Sequence, residues 1–150
     1  MFRDFKRNDL RACVRLISQT MGKRSAKKAR IDLLAGLGAG REGYAFFERK
    51  VVTVNGKVIA IICIYRLNGH PSNVMGVDWI AVSPKYWKRG LGTKLIEWSM
   101  AQTRAHRKRF LFAWSVKKAV YFYEKVGFKR SNMNIMKESK RLVLLVKKTN

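Results

Sequence analysis

The sequence predicts a mixed α/β fold, and three observations carry that expectation. Two stretches rich in β-branched and aromatic residues, 44–54 and 57–67, are separated by Asn55-Gly56, the pair that best tolerates the two positive φ angles of a type I′ hairpin turn. Leu10, Val14, Ile17 and Met21 recur at helical spacing. Between residues 74 and 114 a strand pattern, a helical pattern and a second strand pattern follow one another, which implies a parallel crossover.

The elements then read in order. A short strand over 2–6 opens the chain, Asn8 or Asp9 stands where a helix cap belongs, and Gly22 stands where that helix should end. A second helix is expected over 25–37, with Ile31, Leu33 and Leu34 apolar, until Gly36, Gly38, Gly40 and Gly43 break it. Those glycines follow a helix and precede a strand, the reverse of a phosphate-cradling loop, so no phosphate site is assigned to them. After the hairpin, a strand over 74–82 is closed by Ser83-Pro84. A helix from about Gly92 to about Lys108 carries Leu95, Trp98 and Met100, and a short strand covers 110–114. A last helix over 117–125 ends at Gly127, and strands near 128–136 and 142–147 complete the pattern.

A chain of 150 residues, 47% hydrophobic, has material for one core, so a single domain over 1–150 is expected. Its longest apolar run, 58–65, is far short of the ~20 residues of a membrane-spanning helix. The start of the chain, Phe2-Arg3-Asp4-Phe5-Lys6, lacks the apolar stretch of a secretory signal, and a cytoplasmic location is expected. Cys13 and Cys63 each fall in an apolar pattern and read as buried thiols. His70 lies in a polar loop and His106 in a run of cations, so both are expected in solvent, with no spacing for a metal site or a triad. The net charge of +24 predicts attraction to polyanions such as nucleic acid or the ribosome, unless it is an adaptation of solubility.

The chemistry concentrates in residues 78–93, a strand followed by a basic, glycine-containing turn that opens a helix. Gly90 and Gly92 permit close backbone approach, and the first-turn N–H groups of a helix point outward at the positive end of its dipole. Lys85, Lys88 and Arg89 add full charge beside those amides, which suits an anionic, phosphate-bearing cofactor. About thirty residues on lies Tyr123-Glu124-Lys125-Val126-Gly127-Phe128.

Together these resemble the GNAT acetyltransferase superfamily. Residues Trp87-Lys88-Arg89-Gly90-Leu91-Gly92 are similar to its acetyl-CoA signature, with Trp87 where Gln or Arg is usual, and Tyr123 to Phe128 matches its second element. The asparagine often found seven residues before the tyrosine is Val116 here. The resemblance implies a mixed, mostly antiparallel twisted sheet of six to seven strands flanked by about four helices, with central parallel strands that splay. Acetyl-CoA would bind there through Ile80, Ala81, Val82, Lys88, Arg89, Gly90, Leu91, Gly92 and Thr93, with pantetheine in the gap between the splayed strands.

An ammonium has no lone pair, so a base must take its proton before attack, and Asp78 is the candidate. Strand alternation would place it on one face with Ile80 and Val82. The alternative is that Asp78 pairs with a nearby cation. The resemblance puts oxyanion stabilisation at a backbone N–H near Ala81 or Val82, and makes Tyr123 the acid for the departing thiolate. Tyr121 would face elsewhere on its helix, and Phe122 and Phe128 read as core. The acceptor would be a primary amine: a protein N-terminus, a lysine or a small molecule, polycations being repelled by the net charge. The rival reading is a basic nucleic-acid- or ribosome-binding module, with a vestigial or regulatory acyl-CoA site, using Arg104, Arg107, Lys108, Arg109, Lys117 and Lys118. The apolar stretch 142–146 is suited to a homodimer edge as well as to its own sheet.

Overall fold

The computed structural model describes residues 1–35, 43–136 and 141–149. Its strands are β1 (Phe2–Asp4), β2 (Tyr44–Val54), β3 (Lys57–Leu67), β4 (Val74–Val82), β5 (Phe110–Ser115), β6 (Lys129–Arg130) and β7 (Val143–Lys148). They form one twisted sheet in the order β1-β2-β3-β4-β5-β7-β6, in which β4 and β5 pair in parallel and all other neighbours are antiparallel. Four helices flank it: α1 (Leu10–Met21), α2 (Lys23–Ala35), α3 (Leu91–Ala105) and α4 (Val120–Lys125). The mixed, mostly antiparallel architecture is the one the sequence predicts.

The continuous apolar run of β3 explains the layering. Ala60, Ile62 and Ile64 pack on one face with Met75, Val77, Leu95, Ile96 and Met100, beneath α3 and α4. Ile61 and Cys63 pack on the other with Cys13, Leu16, Ile17, Ala29 and Leu33, beneath α1 and α2. A strand covered on both faces has no polar alternation to show, and each buried isoleucine contributes about 1.5–3 kcal/mol. At the tip of the β2–β3 hairpin, Asn55 (φ 50°) and Gly56 (φ 76°) adopt the left-handed pair that the turn requires.

Several local expectations are corrected. Asp9 does not cap α1; its carboxylate turns back to accept the Lys6 N–H (2.7 Å) and both Arg3 guanidinium donors (2.8 and 2.9 Å). That pairing holds the carboxyl below its usual range, the Arg3 hydrogen bond being the larger cause. α2 begins at Lys23, one residue after Gly22 (φ 94°); its predicted end at Leu37, and Gly36, Gly38 and Gly40, lie outside the described residues. α3 ends at Ala105, short of Lys108, because Arg107 turns left-handed (φ 59°). The strand predicted over 128–136 shrinks to Lys129–Arg130. There the Ser131 hydroxyl takes the Met133 N–H at 3.0 Å, a local bond that competes with the ladder. His70 is buried, not exposed: its Nδ1 accepts the Leu67 N–H at 3.1 Å and its ring packs on Tyr65 and Phe112. β7 lies inside the sheet, between β5 and β6.

Gly76 is the tightest point of this sheet. A Cβ there would stand 2.6 Å from the Tyr65 ring and 2.8 Å from the Phe112 ring. Gly76→Ala is therefore expected to lower stability by about 1–3 kcal/mol, read from the midpoint of urea denaturation.

Candidate active site

The site begins with a surplus residue in β4. Cys63 of β3 pairs with Asp78, and Ile61 with Ala81, so two steps along β3 oppose three along β4. The extra residue is absorbed by Trp79 in the left-handed region (φ 48°), a β-bulge. Alternation is reset there. Met75 and Val77 face α3, Trp79 and Ala81 face α1 and α2, and Ile80 and Val82 face α3 again. Asp78 consequently shares a face with its partner Cys63, opposite to Ile80 and Val82, which corrects the expectation from simple alternation. Trp79 is held by its indole N–H, which donates to the Asp32 carboxylate of α2 at 3.1 Å.

The parallel pairing of β4 with β5 covers Val74↔Phe110, Met75↔Leu111 and Gly76↔Phe112 and stops, although β4 runs on to Val82 and β5 to Ser115. The two strands therefore splay. Ser83 N–H donates to the Ile59 carbonyl at 2.7 Å, so by alternation the backbone groups of Ala81 turn to β3 and those of Ile80 and Val82 turn to the side that β5 has left. Of the two amides expected to meet an oxyanion, Val82's is thus the one on the open side. The Trp87 indole donates to the Val82 carbonyl at 2.7 Å, so Trp87, the departure from the family signature, ties the basic turn to that strand.

The turn leads into α3 through Lys88 (φ 61°) and Gly90 (φ 77°), the latter at the N-cap. Lys94 N–H makes the first helical bond, to Gly90, which leaves the N–H groups of Leu91, Gly92 and Thr93 without helical partners. Open space surrounds Gly90, but a Cβ on Gly92 would stand 3.1 Å from the Phe122 ring. Gly92 thus serves the close packing of α3 on α4 more directly than it serves ligand approach.

These parts line one cleft of about 2100 Å³. Asp78, Ile80, Ala81, Val82, Lys88, Gly90, Leu91, Gly92, Thr93 and Tyr123 all lie on its walls, and Arg89 does not, its guanidinium resting 5.2 Å from the Tyr86 ring centroid. Sequence reasoning missed the opposite wall, formed by Thr20, Met21, Arg24, Ser25 and Lys28 around the α1–α2 turn, and also Lys118, Lys125, Arg141 and Lys147. Apart from Lys125, which stands inside the Tyr123–Phe128 element, no motif marks these positions, and for the lysines and arginines among them charge was the available signal. Phe122, read as core, is half-buried on the cleft wall, whereas Phe128 is buried as expected and Tyr121, expected to face away from Tyr123, is exposed.

Tyr123 is 7% exposed, and burial first, then the nearby Asp78 charge, pushes its phenol well above the usual tyrosine range. It stays neutral and able to donate. Cys63 is fully buried and its thiol is likewise pushed far up, chiefly by burial; burial carries Cys13 up to about 12. Neither thiol is a nucleophile at neutral pH.

The sequence matches the acetyltransferase (GNAT) family over residues 12–128, and the chain belongs to that family. The family's usual donor is acetyl-CoA. No curated protein sequence matches the chain. Among solved structures, a protein of Desulfovibrio desulfuricans assigned to the GNAT family superposes with a TM-score of 0.81 at 20% identity, covering 100% of this chain and 99% of that one. An acetyltransferase from Streptococcus agalactiae gives 0.77 at 20% identity, covering 99% and 97%. An aminoglycoside 6′-N-acetyltransferase in complex with coenzyme A gives 0.72 at 11% identity, covering 100% and 97%.

Because the bulge is anchored through one buried hydrogen bond, Trp79→Phe, which keeps most of the ring and loses the donor, is expected to cost about 1–3 kcal/mol in chemical denaturation.

Proposed function

We propose that the chain is a single N-acetyltransferase domain, residues 1–150, that moves the acetyl group of acetyl-CoA directly to a primary amine. The observation that carries this reading is one cleft holding the open first turn of α3, the open edge of β4, Asp78 and Tyr123 together. The amides of Leu91, Gly92 and Thr93 would hold the pyrophosphate, with Lys88 beside them and Arg89 contributing charge from the rim. The backbone of Ile80 and Val82 would guide the pantetheine arm into the gap left by β5, whereas Ala81, its backbone turned to β3, would support them from behind.

In this reading Asp78 takes a proton from the ammonium, directly or through water, and the freed lone pair attacks the thioester carbonyl. Val82 N–H stabilises the oxyanion, a fixed dipole that needs no reorganisation. As the C–S bond breaks its electron pair leaves on sulfur, the remaining excess proton of the nitrogen passes through water to that thiolate, and Tyr123 donates a hydrogen bond to it. Burial makes complete loss of its proton costly, so a hydrogen bond that strengthens as charge grows on sulfur is its main contribution. The inaccessible thiols support direct transfer over an acyl-cysteine route. Two buried free thiols also accord with a reducing compartment such as the cytoplasm, and no described helix is long and apolar enough to cross a membrane.

Among the described residues the cleft wall bears seven Lys and Arg side chains against two carboxylates, Asp78 and Glu97. Polycationic acceptors are disfavoured by that balance, which leaves a protein N-terminus, a single lysine of a partner or a small monoamine. As for the rival reading, the cations expected to face phosphates are partly committed: Lys108 Nζ donates to the Ser72 carbonyl at 2.7 Å, and Arg109 lies over Phe110.

Acetyl-CoA at ~100 times its Kd is expected to stabilise the protein by ~2.7 kcal/mol, measured by thermal shift; no shift would remove the assignment. Tyr123→Phe and Asp78→Asn are each expected to lower kcat by about 10²-fold or more while acetyl-CoA affinity stays nearly constant, and wild-type turnover in both would refute the assigned roles.

A further inference from the structure

A second groove lies outside the acetyl-transfer cleft, between the outer faces of α1 and α2, with a volume of about 520 Å³. Its walls carry Arg11 and Arg15 from α1 and Lys23, Lys27 and Arg30 from α2, all five exposed. They recur at helical intervals of three and four, so each helix presents a row of cations one turn apart on the same face. Among the described residues none of the five pairs with a carboxylate. Between Leu10 and Ala35 the one acidic residue is Asp32, which is buried and bonded to the Trp79 indole.

We propose that this groove is a docking site for the phosphodiester backbone of a nucleic acid, bound without sequence readout and independently of acetyl transfer. Converging cations with no counter-charge store mutual repulsion, which phosphates relieve, with release of the counterions condensed on the nucleic acid. The groove's chemistry separates this occupant from other polyanions. A membrane-bound helix pair needs an apolar face turned outward, yet the apolar faces of α1 and α2 are sunk in the core, and Ile31 is the one large hydrophobic residue exposed on either helix. An acidic protein partner calls for an aromatic or aliphatic anchor at the centre of the contact, and the groove supplies only half-buried Val14 and buried Ala26. Every charged group on its walls is a cation, the charge pattern of a nucleic-acid contact.

The test compares two double charge reversals of equal size in the full chain: Arg15→Glu with Lys27→Glu in the groove, and Lys57→Glu with Arg130→Glu on exposed sites elsewhere. Fluorescence anisotropy with labelled RNA and DNA oligonucleotides of one sequence reads affinity across a salt series. The groove pair is expected to weaken binding of one or both by more than about tenfold and to flatten the slope of log K against log salt by about 2, one per lost phosphate contact. The control pair is expected to change affinity by less than about threefold. An unchanged acetyl-CoA thermal shift in both variants shows that the fold and the donor site are intact. Equal losses in the two pairs would reduce the effect to net charge and overturn the proposal. So would groove-dependent capture of phosphatidylserine vesicles or poly-glutamate without groove-dependent binding of either oligonucleotide.

Discussion

The cleft depends on a mismatch of one residue between β3 and β4. Trp79 occupies the left-handed region because β4 must fit three steps against two, and a bulky residue holds that conformation at a cost of order 1–3 kcal/mol. Packing of the indole among α1 and α2, with its N–H on Asp32, offsets the strain. Three consequences follow. The faces of β4 are exchanged beyond the bulge, the strand bends away from β5, and the backbone groups of Ile80 and Val82 are left without a neighbouring strand.

That constraint also marks the limit of what the sequence discloses. The hairpin at Asn55-Gly56 was legible because only certain residues accept two positive φ angles, and α1 was legible because one face of it is apolar. The turn at Gly90 was legible because a glycine opening a basic helix has few other uses. The bulge was not, since Asp78-Trp79-Ile80 contains nothing that ordinary strand chemistry would refuse. Its cause is tertiary: the register of β3 on one side and the acceptor carboxylate of Asp32, 47 residues away, on the other. Reading Asp78 by alternation therefore put it on the wrong face. His70 escaped in the same way, because Asn68-Gly69-His70-Pro71 has a loop's composition while its ring fills a hole between Tyr65 and Phe112.

Tyr123 shows how burial sorts the chemical roles. A phenol 7% exposed cannot ionise near neutral pH, so it is held in the donating form at the price of being a weak acid. Asp78, half-buried at the bulge, keeps access to the cleft, and its charge raises both Tyr123 and Cys63. In the proposed mechanism the half-buried carboxylate would take the proton and the buried phenol would only donate a hydrogen bond, so the two groups need not titrate together.

The distribution of charge follows the same economy of position. In the cleft, cations outnumber carboxylates among the described residues, and in the proposed reading a multiply charged donor would answer that excess. On the outer face of α1 and α2 no such donor can reach, and no described acid answers the five cations. Solubility alone would be served by charge scattered over the whole surface. Two rows along one helical hairpin concentrate positive charge on one face instead. Under the docking proposal, phosphates would neutralise that concentration of charge, at residues that take no part in lining the main cleft.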